Sequence, residues 1–198
     1  MPRIMDIGMI LIYLIKGVIL VFSIVVHEVA HGYAAYRLGD PTAAHLNRLT
    51  LNPIAHVDLF GSIILPAILI FSGSPVVLGW AKPVPFNPYY FKNYKRGVMI
   101  TGAAGPISNF VLAMMGGVCL LLVSYIFPQS PAIVEWSLVR FIAINIGLGV
   151  FNLIPIPPLD GSRILYGLLP SQWADKYMSL EPYGIYILIA LLFALSYL

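Results

Sequence analysis

Charge is scarce in this sequence. Only 10% of its residues are Asp, Glu, Lys or Arg and 60% are hydrophobic, with a mean hydropathy of +0.90; a soluble domain carries about 25% charged residues. So little charge excludes an ordinary water-exposed globule and predicts an all-α integral membrane protein, with room for about four or five spanning helices and short loops. Cysteine is nearly missing as well. Cys119 stands alone in an apolar run, which excludes an intramolecular disulfide and a cysteine-based zinc cluster. The net charge is +3, yet the 11 basic residues are scattered at the flanks of apolar stretches. That pattern orients a protein in a membrane and argues against a nucleic-acid partner.

The apolar stretches divide the chain into spans of about 7–38, 97–127, 133–154 and 184–198, within a single membrane-embedded domain over 1–198. The first run follows Arg3 and resembles a signal peptide at its start, but it is too long and no A-x-A-like cleavage site follows, so it reads as a retained span. Gly39-Asp40-Pro41 is a helix stop. Residues 42–59 are polar and punctuated, a surface loop or short strands, and their His45 and His56 read as ordinary solvated or hydrogen-bonded histidines. Residues 60–79 are apolar but interrupted by Gly61, Pro66, Gly73 and Pro75, which suits a re-entrant segment. The proline-dense stretch Lys82 to Pro88 is expected to be extended, with Trp80, Tyr89 and Tyr90 at headgroup level.

Two places carry chemistry. His27-Glu28-Val29-Ala30-His31 is an H-E-x-x-H pentad inside the first span. Residues four apart on a helix differ by about 40° around its axis, so both imidazoles can reach one metal ion, with the Glu28 carboxylate beside them to take a proton from water. This is the arrangement that holds Zn²⁺. The second place is Asn152 to Gly161, where Pro155, Pro157 and Pro158 break the helix at membrane depth and are followed by Asp160. A carboxylate there needs a cation or a metal, or else it caps the helix that Ser162-Arg163 could begin. Asn109, also at membrane depth, serves either an interhelical hydrogen bond or the site itself.

Basic residues add an orientation. Arg37, Arg48, Lys82, Lys92, Lys95, Arg96, Arg163 and Lys176 fall after the first span, before the second or after the third, with Arg3 and Arg140 as exceptions. Placing that set in the cytoplasm puts the pentad and Asp160 near the cytoplasmic face of a multi-pass cell-membrane protein. It also requires 60–79 to enter and leave by one face.

With H-E-V-A-H on the first span, G-P-I-S-N at Gly105 to Asn109 and F-N-L-I-P-I-P-P-L-D-G at Phe151 to Gly161, the chain resembles the site-2 protease family, peptidase family M50, in a compact form without a PDZ or CBS domain. The resemblance implies a three-helix catalytic core, one zinc ion per chain on His27, His31 and Asp160, Glu28 as general base, and Asn152, with Asn109, toward the substrate backbone or its oxyanion. It implies a zinc metalloendopeptidase that hydrolyses bonds in or near transmembrane segments of membrane proteins. The alternatives are a catalytically silent membrane scaffold, or a metal transporter, which would need polar residues threading the full membrane depth.

Overall fold

The computed structural model describes residues 7–72 and 79–196. Helix α1, Ile7–Arg37, has no proline and is apolar for most of its 31 residues. At 1.5 Å per residue it measures about 46 Å, longer than the roughly 30 Å hydrocarbon layer. It ends in a Schellman motif: Gly39 adopts φ +104°, its N–H donates to the Tyr36 carbonyl, and the Asp40 N–H donates to the Ala35 carbonyl, both at 3.0 Å.

The loop after α1 corrects one expectation. Residues 42–59 contain helical turns, α2 (Thr42–His45) and a 3₁₀ turn at Pro53–His56, with no strand among the described residues. Asn52 accepts the Ile54 N–H and Pro53 opens the turn, so cap chemistry and a preset φ prevail where no neighbouring strand offers a ladder. The apolar segment that follows is helical from Leu59: a π-helical turn over Leu59–Ile64, capped by Asp58, runs into α3, Leu65–Phe71. Its 13 residues reach about 20 Å, short of a straight crossing. Trp80 comes back to where the segment began, donating its N–H to the Gly61 carbonyl at 3.1 Å and accepting from the Ser62 hydroxyl at 2.8 Å. The Gly73 and Pro75 interruptions lie outside the described residues.

Helix α4, Tyr94–Ile126, starts on an Asn93 cap and runs for 33 residues; α5, Ala132–Asn152, has 21. With α1, these are the three helices long and apolar enough to cross a membrane among the described residues. A proline-broken loop leads into α6 (Asp160–Leu168), and α7 (Ser171–Met178) and the apolar α8 (Gly184–Ser196) complete the described chain. Helix α4 lies at the centre and packs on α1, α5 and α6.

Polar residues fill the middle of this bundle and apolar ones cover it. Asn109, Asn145, Thr101, Pro106 and Ser23 are among the largest fully buried described residues, while Leu14, Val18, Leu121 and many other apolar side chains of the spans are exposed. Lipid is as apolar as leucine, so sequestering Leu gains little there, and hydrogen bonds and close approach at small residues hold the helices together. The buried apolar cluster of Ala35, Phe91 and Val98 sits at one end of the bundle, where α1 and α4 meet the loops.

Candidate metal centre

His27 and His31 lie on the buried stripe of α1 that starts one turn earlier at Ser23. Asp160 is the first residue of α6, delivered there by the loop from Leu153 to Leu159. That loop closes tightly on the helix: a Cβ on Gly161 would stand 2.2 Å from the Leu153 carbonyl oxygen, so glycine after the aspartate is a steric requirement. The three side chains converge. Nε2 of His27 is 3.1 Å from Nε2 of His31 and 3.0 Å from Asp160 Oδ2, and Nε2 of His31 is 3.2 Å from Asp160 Oδ1. All three residues are buried, with 4–7% exposure.

The far side of each ring decides its tautomer. His27 Nδ1 faces the amide oxygen of Asn109 at 2.6 Å, and His31 Nδ1 faces the Thr101 carbonyl at 2.7 Å. Both partners are acceptors, so both Nδ1 atoms carry hydrogen and both Nε2 atoms present lone pairs. Two lone pairs and a carboxylate within 3.2 Å repel one another unless a cation lies between them.

The dimensions suit zinc. Ligand arms of about 2.0–2.1 Å in a tetrahedron place neighbouring donors about 3.3 Å apart, close to the separations found here. Gly105 supplies the space. A Cβ at that position on α4 would lie 2.4 Å from His31 Nε2 and 2.6 Å from His27 Nε2, so only glycine leaves the space in front of the two nitrogens open. Two neutral imidazoles and one carboxylate form a donor set that zinc accepts while keeping a fourth position open. His27, His31 and Asp160 are the group of metal-binding type found among the described residues.

The support for His27 spans all three long helices. The Asn109 amide nitrogen donates to Asn145 Oδ1 at 3.0 Å, and Asn145 Nδ2 donates to the Ser23 hydroxyl and to the Phe141 carbonyl, each at 2.9 Å. Neither Ser23 nor Asn145 stands out in the sequence as part of a site. Their signal is spacing: Ser23 is four residues before His27, and Asn145 is a polar residue in a span with no other reason to be buried. His31 is held by the backbone of α4, whose Thr101 carbonyl accepts its Nδ1–H; Pro106, inside the same helix, cannot donate to the Gly102 carbonyl one residue further on.

The other predicted residues fall around this centre. Glu28, beside His27, is half-buried and its Oε2 accepts the Val84 N–H at 2.9 Å. Asn109 is fully buried behind His27, facing Nδ1 and not open space. Asn152 is half-buried in the last turn of α5, where its Nδ2 donates to the Leu148 carbonyl at 3.0 Å. His45 is exposed; His56 is buried, with Nε2 donating to the Thr50 carbonyl at 2.8 Å. Arg163 stands 3.5 Å from Asp160 Oδ1 and covers the Phe86 ring.

Comparison with known proteins agrees with this chemistry. Residues 128–195 match the family described as Peptidase family M50. YwhC of Bacillus subtilis, which bears the name zinc metalloprotease, is 39% identical over 176 residues, covering 87% of this chain and 77% of that protein. Rip2 of Mycolicibacterium smegmatis, similarly named, is 30% identical over 86% of the chain and 63% of its own length. Zinc metalloprotease MJ0392 of Methanocaldococcus jannaschii is 28% identical, and the chain spans 34% of it. No solved structure matches. The chain belongs to peptidase family M50, the site-2 protease family, and is a zinc metalloendopeptidase.

Proposed function

We propose that the protein hydrolyses peptide bonds in or near transmembrane segments of other membrane proteins, at a single zinc site held by His27, His31 and Asp160. The observation that carries this reading is the convergence of three buried donors, the Asp160 carboxylate and two imidazoles offering Nε2 from a helix long and apolar enough to cross a bilayer. Zinc bound there would polarise the scissile carbonyl and make water acidic enough to surrender a proton near neutral pH. Glu28 takes that proton and passes it to the leaving amine. Asn109 fixes the ring of His27 from behind, and Asn152, whose amide nitrogen is engaged with its own helix, keeps its carbonyl oxygen for a substrate N–H.

A transmembrane helix shields its peptide bonds through internal hydrogen bonding, so the substrate must be locally unwound before attack. The Pro155 to Pro158 break and the extended stretch from Lys82 offer non-helical backbone for that purpose. The basic residues around these loops support an active site toward the cytoplasmic face, and the return of Trp80 to Gly61 supports a segment that enters and leaves on one side. Polar side chains cluster at one depth, which disfavours a transport path. Reconstituted with a membrane-embedded reporter, Glu28→Gln should retain zinc and lose cleavage; a Glu28→Gln protein that still cleaves would overturn the assignment. Membranes carrying that variant should accumulate the natural substrates.

A further inference from the structure

Lys82 to Asn87 crosses beside α1 without forming a helix, and hydrogen bonds anchor it at both ends and in the middle. The Lys82 N–H donates to the His56 carbonyl at 2.9 Å and the Asn87 N–H to the Asp40 carboxylate at 2.6 Å. Arg48 donates to the carbonyls of Lys82 at 2.8 Å and Pro83 at 3.3 Å. Between these anchors Pro83 and Pro85 have no N–H. Val84 therefore carries the one amide donor of that tripeptide, and it goes to Glu28 Oε2 at 2.9 Å. The Val84 side chain, 5% exposed, sits over Gly32: a Cβ on Gly32 would be 2.6 Å from Val84 Cγ1. Glu28 and Gly32 are four residues apart on one face of α1. One residue thus grips both.

We propose that Val84 is a positioning residue for Glu28, with its amide tethering one carboxylate oxygen and leaving the other for proton transfer. The inference rests on the reading of Glu28 as the general base. An unrestrained glutamate samples several rotamers, and a base must stand within hydrogen-bond reach of the proton it removes. The flanking prolines remove competing donors, and Pro85 biases Val84 toward extended backbone. The same arrangement gives a reason for two buried charged residues in a chain so poor in charge: Asp40 and Arg48, 0% and 8% exposed, hold the two ends of the stretch that presents the amide.

The test is an amide-to-ester replacement at position 84, made by incorporating the α-hydroxy analogue of valine, which keeps the side chain and deletes the N–H. Cleavage of the membrane reporter should fall about 10- to 100-fold in kcat, with KM and bound zinc unchanged. Gly32→Ala, which pushes Val84 away from α1, should lower kcat in the same way, and adding Val84→Ala should restore part of it, since the flexible end of Leu49 can yield to the new methyl. Glu28→Gln is measured alongside. If Glu28→Gln is inactive and the ester protein cleaves at the wild-type kcat, the positioning role is overturned while the peptidase reading stands. A kcat loss in the ester protein that tracks zinc loss also overturns it. Cleavage by Glu28→Gln removes the base assignment itself and the inference with it.

Discussion

Replacing Gly105 by alanine sets two physical effects against each other. In an ordinary helix the change is favourable by about 1 kcal/mol, because glycine carries the larger entropy loss. Here the added Cβ would stand 2.4 Å from His31 Nε2, 2.6 Å from His27 Nε2 and 2.6 Å from His27 Cε1. Non-bonded carbon atoms sit best at about 3.5–4.0 Å, so the rings or α4 must move by several tenths of an ångström at least. Zinc ligands hold their distances to about ±0.2 Å. Zinc affinity should therefore fall by more than the 10–100-fold typical of losing a residue that only orients a ligand, a penalty above about 1.4–2.8 kcal/mol. Gly117→Ala, on the same helix with nothing within 4 Å of its Cβ, is the matched control. Metal content after dialysis against graded chelator, measured with a thermal melt, separates the outcomes: Gly105→Ala loses zinc while remaining folded, and Gly117→Ala keeps it. A Gly105→Ala protein that binds zinc as tightly as wild type would refute the placement of the metal between these rings.

Asp160→Ala should lose metal together with activity; unchanged zinc content would put the third ligand elsewhere. Asn109→Ala takes the acceptor from His27 Nδ1, frees the ring to turn and should weaken zinc about 10–100-fold, read by chelator competition; full affinity would show that the ring is held by packing alone. A double-mutant cycle of Ser23→Ala and Asn145→Ala, read by unfolding in detergent, should give a coupling of about 0.6 kcal/mol and no more than about 1.7. Zero coupling would mean that the two side chains do not share the bond.

Local pattern carried much of this structure. The length and apolarity of α1, α4 and α5, the helix stop at Gly39 and the proline break before Asp160 all follow from nearest-neighbour chemistry. So does the common facing of His27 and His31, since spacing on a helix dictates direction. Other features depend on what lies opposite. Asn109 could have faced substrate or a neighbouring helix; only packing brings it behind His27 and joins it to Asn145 and Ser23. Gly105 matters for the side chain it lacks, and that is visible only once two imidazoles occupy the space. Val84 is one valine among many until its amide meets Glu28, 56 residues away. Residues 42–59 looked compatible with strands because their polar, proline-marked composition suits any irregular element, and short caps resolved them into turns.

The proposed activity is hydrolysis, by His27, His31, Asp160 and Glu28, of a peptide bond in a membrane-spanning segment. The most direct measurement maps the cut: purified protein and a single-span substrate in liposomes, the reaction run in ¹⁸O-labelled water and the products analysed by mass. Hydrolysis at this site should give a new carboxyl terminus labelled with ¹⁸O, in or at the edge of the substrate's apolar stretch, produced by protein holding one zinc per chain and abolished by chelator and by Glu28→Gln. Cleavage confined to soluble loops, or the same labelled product from zinc-free protein or from Glu28→Gln, would contradict it.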